Sequence, residues 1–297
     1  MRSGFSLPFT GFTLAAALIA PAQTPAQSGM SLPKSITAGS SSSISTTGNG
    51  KAVLYIVGPG GALRRDLQLG EAISLSASDL YNAGHYLAIL VGGSGIPADT
   101  GAFDVVPAPQ PETLSFLARP SRLPVGLHGG ISGTTYIFDA YHNLITTPMP
   151  VSFQLSTPSS AVQERTITSR NGVAWAAMDS APKQGSAKFI AQTGGVASTR
   201  VIDEVPGDPC GLTMSARPNG HKVDLQTAFV RDCSGNAVPD GTVVTFTETY
   251  GGMQSTVDAP IKQGVARAEM PAYDGARISV ASGVVAGNEI RWGGGSR

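Results

Sequence analysis

Charge is scarce in this chain. Acidic and basic side chains make up 13% of its 297 residues, roughly half the usual share, and they cancel at 20 of each sign. Without a basic excess there is no electrostatic footprint for a phosphate backbone or an anionic membrane surface, so nucleic acid is not an expected partner. Histidine is also sparse: His85, His128, His142 and His221 stand singly, with no His-x-x-x-His or cysteine pair to begin a metal shell. Aromatics, at 6%, do not gather into a sugar-stacking platform. No run of ten or more residues carries an apolar stripe at the 3.6-residue period, which excludes long amphipathic helices.

Patterns that would carry catalysis are missing as well. Gly92-Gly93-Ser94-Gly95-Ile96 comes nearest to a serine-nucleophile elbow, but it lacks the last glycine and a helix to follow it. It reads as a loop between strands. Gly58-Pro59-Gly60-Gly61 lacks phosphate-loop spacing and reads as a hairpin turn. No two acids share a strand face in the way glycoside hydrolysis needs. No catalytic residue, metal site or cofactor is therefore expected, and the chain reads as a non-enzyme.

Turns are plentiful. The chain has 37 glycines and 21 prolines, and turn signals arrive at the spacing of short strands, which points to an all-β fold of immunoglobulin-like sandwiches. Residues 1–26 read as a signal peptide: Arg2, an apolar run from Phe9 to Ile19, then Ala20 and Ala22 in an A-x-A arrangement. A retained anchor would need about 20 apolar residues, and Pro8 and Pro21 bracket too short a run. No membrane span is expected after cleavage. The mature protein is expected to be secreted, on the cell surface or periplasmic. Residues 27–34 read as a flexible tether.

The two cysteines are Cys210 and Cys233. Export favours pairing them, and two antiparallel strands between them would bring them to neighbouring ends. The closed loop is worth on the order of 3 kcal/mol in the chain-entropy picture.

The first sandwich is expected over 35–107. Asn49-Gly50 reads as a hairpin signal ahead of the strand Ala52 to Val57. Asp79 and Tyr86, in Asp79-Leu80-Tyr81-Asn82-Ala83-Gly84-His85-Tyr86, have the spacing of a tyrosine corner, with Ala88 where such sandwiches often place a cysteine. Pro107, Pro109 and Pro111 then make a stiff spacer. A second sandwich is expected over 112–205 and a third over 208–293.

The last two are copies. Asp139, Asn143, Ile145 and Phe153 recur 93 positions on as Asp232, Asn236, Val238 and Phe246, so a whole structural unit is duplicated. Asn171-Gly172-Val173-Ala174-Trp175-Ala176-Ala177-Met178 likewise matches Gln263-Gly264-Val265-Ala266-Arg267-Ala268-Glu269-Met270. The shared Val, Ala, Ala and Met alternate inward, which leaves Trp175 and Arg267 toward solvent. Ala140 stands at the Cys233 position, so the second copy must hold together on its core alone. Asp232, Asn236 and Asp240 offer oxygens at loop spacing that a calcium ion could use, although aspartates at turns more often bond their own backbone.

Asp232-x-x-Gly235-Asn236-x-Val238-Pro239-Asp240-Gly241-Thr242-x-Val244-x-Phe246, with Gly264-Val265-Ala266 and the strand Ala276 to Ile278 downstream, resembles the bacterial Ig-like repeats of the invasin and intimin type. The resemblance covers roughly the last two thirds of the chain. In the second copy it is degenerate, with His142 for the glycine and Thr146-Thr147 for Pro-Asp. It implies a stalk of stacked sandwiches at a bacterial surface, working in adhesion or as an extracellular scaffold, with a protein or glycan partner at the cell surface. A polysaccharide-binding accessory module and a subunit of an extracellular fibre are the alternatives.

Overall fold

The computed structural model describes residues 28–293 apart from 94, 96, 159 and 272. The signal-peptide reading therefore lies outside the described residues. The described part is built of 23 strands and no helix, numbered here in chain order and arranged as three pairs of sheets.

In the first sandwich, one sheet orders Gly29–Ser31 (β1), Ser42–Thr47 (β3) and Ala72–Leu75 (β6). The other orders Ser35–Thr37 (β2), Pro97–Val106 (β8), Gly84–Gly92 (β7), Lys51–Gly58 (β4) and Gly61–Gln68 (β5). Alternation does the work: Ala52, Leu54 and Ile56 on β4 and Ala88 and Leu90 on β7 are buried, while the residues between them are not. Two expectations need correcting. Residues 29–31, read as part of a flexible tether, form β1, paired with Ser45 to Thr47 and held by Met30 N–H donating to Asp99 Oδ2 at 2.8 Å. Backbone pairing, to which composition is blind, orders this segment. Asn49-Gly50 does not close a hairpin either: β3 pairs with β1 and β6, β4 with β5 and β7, so the chain crosses from one sheet to the other there. Gly48 and Gly50 take positive φ at the crossing.

In the second sandwich, Val173–Met178 (β14), Ile131–Phe138 (β11) and Thr113–Arg119 (β9) form one sheet. Arg122–Pro124 (β10), Val196–Val205 (β16), Gly185–Thr193 (β15), Pro150–Thr157 (β12) and Ser160–Thr168 (β13) form the other. Between them Phe116, Phe153 and Phe189 are fully buried and touch pairwise, with ring centroids 5.1 to 6.1 Å apart. Strand β16 runs through Asp203-Glu204-Val205, up to the expected end of the second sandwich.

The third sandwich repeats this with Met214–Asn219 (β17), Lys222–Thr227 (β18) and Arg267–Pro271 (β21) facing Met253–Pro260 (β20), Val243–Tyr250 (β19), Arg277–Ser282 (β22) and Val285–Arg291 (β23). Phe246 keeps its place, but Met214 and Ile278 stand where the second copy has Phe116 and Phe189. The chain falls into two compact units. Among the described residues, one holds those up to Ile36 with Ser41–Asp79 and Gly84–Asp104; the other holds Thr37–Ser40, Leu80–Ala83 and those from Val105 on. The second and third sandwiches thus share one unit.

Candidate functional site

The duplicated turn closes the same way in both copies. Asp139 Oδ1 accepts from the N–H groups of Tyr141 and Asn143 at 2.9 and 2.8 Å. Asp232 Oδ1 accepts from Ser234 and Asn236 at 2.9 and 2.8 Å. In each, the asparagine amide also donates back to the aspartate. Both aspartates are buried, which is tolerable because their oxygens are filled with donors. His142 takes φ 63° where Gly235 takes φ 81°, so the degenerate copy keeps the left-handed step despite its side chain.

A carboxylate crowded by N–H donors presents no free lone pairs to a calcium ion. Asp240, the third residue of that reading, turns instead to Gln263 and Gly264 N–H groups at 3.0 and 3.5 Å. Among the described residues no three His, Cys, Asp or Glu side chains gather as a metal site.

Cys210 and Cys233 are disulfide-bonded, with Cys210 N–H donating to Arg231 O beside them at 2.8 Å. Tyr86 sits near the start of β7, two residues before the fully buried Ala88, its ring stacked on Phe103 at 5.6 Å. Asp79 serves the Ser76 turn, accepting from Ser76 N–H at 2.8 Å, and pairs with Arg65 at 2.6 Å. The histidines stay apart: His85 meets Asp104 and His128 meets Asp179, each at the surface at 2.9 Å. Gly95 N–H donates to Gly92 O, making the glycine-rich stretch a turn into β8; Ser94 is outside the described residues.

What the sheets hold outward differs between the copies. On the three-stranded sheet of the third sandwich, Arg267, Gln226 and Ser215 form one cross-strand row. The row is knitted together, Arg267 Nε donating to Gln226 Oε1 at 3.2 Å and Ser215 Oγ to Gln226 O at 3.4 Å. The matching row of the second sandwich is Trp175, Thr134 and Leu117, with Trp175 57% and Leu117 48% exposed and Tyr136, one step along β11, 40% exposed. Beside Trp175 a groove of about 490 Å³ runs between the edges of β13 and β14, lined by Thr166, Ile167, Thr168 and Arg170. The chain order alone placed Trp175 outward; joining it to Leu117 and Tyr136 required the strand register.

No family model matches the chain, and no curated protein matches its sequence. Solved structures do. FdeC, described as an adhesin of Escherichia coli, superposes with a TM-score of 0.57 at 16% identity, covering 86% of this chain and 90% of that one. The fold is that of tandem Ig-like repeat proteins. InvD of Yersinia pseudotuberculosis (TM-score 0.46, 14% identity, 92% and 98% coverage) and invasin, a bacterial integrin-binding protein (0.46, 11%, 89% and 58%), are also similar. Among the described residues no helix is long and apolar enough to cross a membrane.

Proposed function

We propose that this chain is an exported bacterial surface component that works in adhesion or as an extracellular scaffold and catalyses no reaction. The observation that carries the reading is the extent of the match to FdeC, which takes in nearly all of both chains rather than one sandwich. The export-like residues 1–26 support it. Expression in a bacterial host should yield a processed N-terminus outside the cytoplasm, and cells displaying the protein should adhere better than cells without it. Hydrolytic turnover by the purified protein, abolished by one point change, would overturn the non-enzymatic reading.

A second reading, a ligand-binding module, is favoured by the Trp175 face. An indole beside threonine hydroxyls and one arginine suits a saccharide ring, which stacks its C–H face on the aromatic and hydrogen-bonds at its rim. Trp175→Ala should abolish hits on a glycan array without moving the melting curve. An array with no hits for the unmodified protein rejects the saccharide. The fibre alternative, in which the N-terminal segment would pair with an exposed sheet edge of the next copy, loses support, since residues 29–31 are already paired within their own sheet.

A further inference from the structure

The duplicated turn also reaches outward. Asp232 Oδ2 accepts from the N–H of Gly207, in the link between the second and third sandwiches, at 2.9 Å. Asn236 Nδ2 donates to Pro182 O at 3.0 Å, and Asn236 Oδ1 accepts from Gln184 N–H at 3.4 Å. Pro182 and Gln184 lie in the loop from β14 to β15, at the end of the second sandwich. Glu204 braces that loop from below by accepting Ala181 N–H at 2.7 Å.

The earlier copy repeats the pattern atom for atom, with every residue of it inside the same compact unit. Asp139 Oδ2 accepts from Ala108 N–H at 2.9 Å; Asn143 Nδ2 donates to Tyr81 O at 2.7 Å; Asn143 Oδ1 accepts from Ala83 N–H at 2.7 Å. Ala108 and Gly207 each stand two residues past the last strand before them, β8 and β16. A glycine lies under each turn as well. Gly126, at φ 73°, would set a Cβ 2.7 Å from Ser234 Oγ, and Gly39, at φ 71°, would set one on the Tyr141 ring.

Turn chemistry accounts for the bonds to Oδ1. It does not account for a second oxygen and an amide aimed at another segment twice over. Tyr81-Asn82-Ala83 and Pro182-Lys183-Gln184 have no residue in common, so what the aspartate and asparagine of the turn recognise is main chain. Nor is the pattern general to such loops. In the third sandwich the matching loop commits its N–H groups within its own sandwich, Tyr273 to Glu248, Gly275 to Trp292 O and Ala276 to Tyr273 O.

We propose that the Asp-x-x-x-Asn turn is a module-coupling site whose partner is an Ig-like sandwich presenting two things: a carbonyl and an N–H two residues apart in its terminal loop, and a free N–H two residues past its last strand. The aspartate and asparagine read none of the partner's side chains; the contact of the Tyr81 and Tyr141 rings, centroids 6.2 Å apart, is an addition at the first copy.

Hydrogen exchange on the full chain tests this. Asn236→Ala should make the Gln184 amide exchange about tenfold faster while the Val223 and Leu225 amides keep their protection. Replacing the loop by the unrelated one, as P182Y, K183N and Q184A together, should leave the amides of residue 184 and Gly207 as protected as before. If Asn236→Ala leaves Gln184 unchanged, the coupling idea fails. If Asn236→Ala instead unfolds the third sandwich, the loop replacement decides alone, and faster exchange at residue 184 and Gly207 there refutes recognition of main chain.

Discussion

The second and third sandwiches follow one strand plan and hold together differently. The second fills its centre with Phe116, Phe153 and Phe189 and has no cysteine. The third keeps only Phe246 of that trio, with Met214 and Ile278 beside it, and closes a disulfide between Cys210 and Cys233. Three interlocking rings bury more apolar surface than a ring, a thioether and an isoleucine. A cross-link instead limits what the unfolded chain can do. The same strand plan is compatible with either device, and the plan resides in the inward alternation and the turns rather than in any particular core residue.

Breaking each device in turn should separate the copies. The largest effect is expected from Phe189→Ala, which empties the middle of the trio and should cost the second sandwich about 3–5 kcal/mol. Exchange protection in β12 and β15 should fall while that in β19 and β22 holds. Cys210→Ser with Cys233→Ser should cost the third sandwich about 3 kcal/mol, read the same way, with the second untouched. Equal losses in both sandwiches from either change would mean that the two cores are one cooperative unit.

Acid and base test the polar half of the comparison. Burial pushes the Asp139 and Asp232 carboxyls up, but the hydrogen bonds they accept outweigh it and hold both below the usual aspartate range. Their stabilisation is thus present above about pH 4 and is lost as pH falls through their lowered values. Glu204 and Glu248 move the other way, burial outweighing the single N–H that each accepts from Ala181 and Tyr273. Their contribution is complete below the ordinary glutamate value and fades as pH rises through the raised one. Asp232→Asn should flatten the acid limb of a stability–pH curve, and Glu204→Gln the opposite limb. The smallest effect is expected from Trp175→Ala, an exposed position, at within about 0.5 kcal/mol.

Much of the architecture was legible in the chain. The alternation around Leu54, Phe153 and Phe246, and the turn glycines, carry sheet architecture in residue identity itself. Residue identity alone has a limit at Val243: an apolar neighbour of the buried Val244, it is half exposed, because strand period puts neighbours on opposite faces. The strand at Gly29–Ser31 was invisible for a related reason, since pairing is made by main-chain groups that every residue has. The coupling contacts of Asn143 and Asn236 were hidden twice over. Their partners are carbonyls and N–H groups, and the loops that present them differ in every residue. Asp232 and Asn236 could be recognised as a turn from spacing, but the direction in which their outer atoms point is a property of the folded chain.

One pairing in the second sandwich bears on mechanics. Arg122 to Pro124, near where the chain enters, lies parallel to Asp203 to Val205, where it leaves. Tension applied at the two ends would drag these segments past each other in shear, so their cross-strand bonds share the load and must fail together. A hairpin pulled from its open end would surrender its bonds one after another. A force–extension trace should therefore register this sandwich as a late, abrupt rupture.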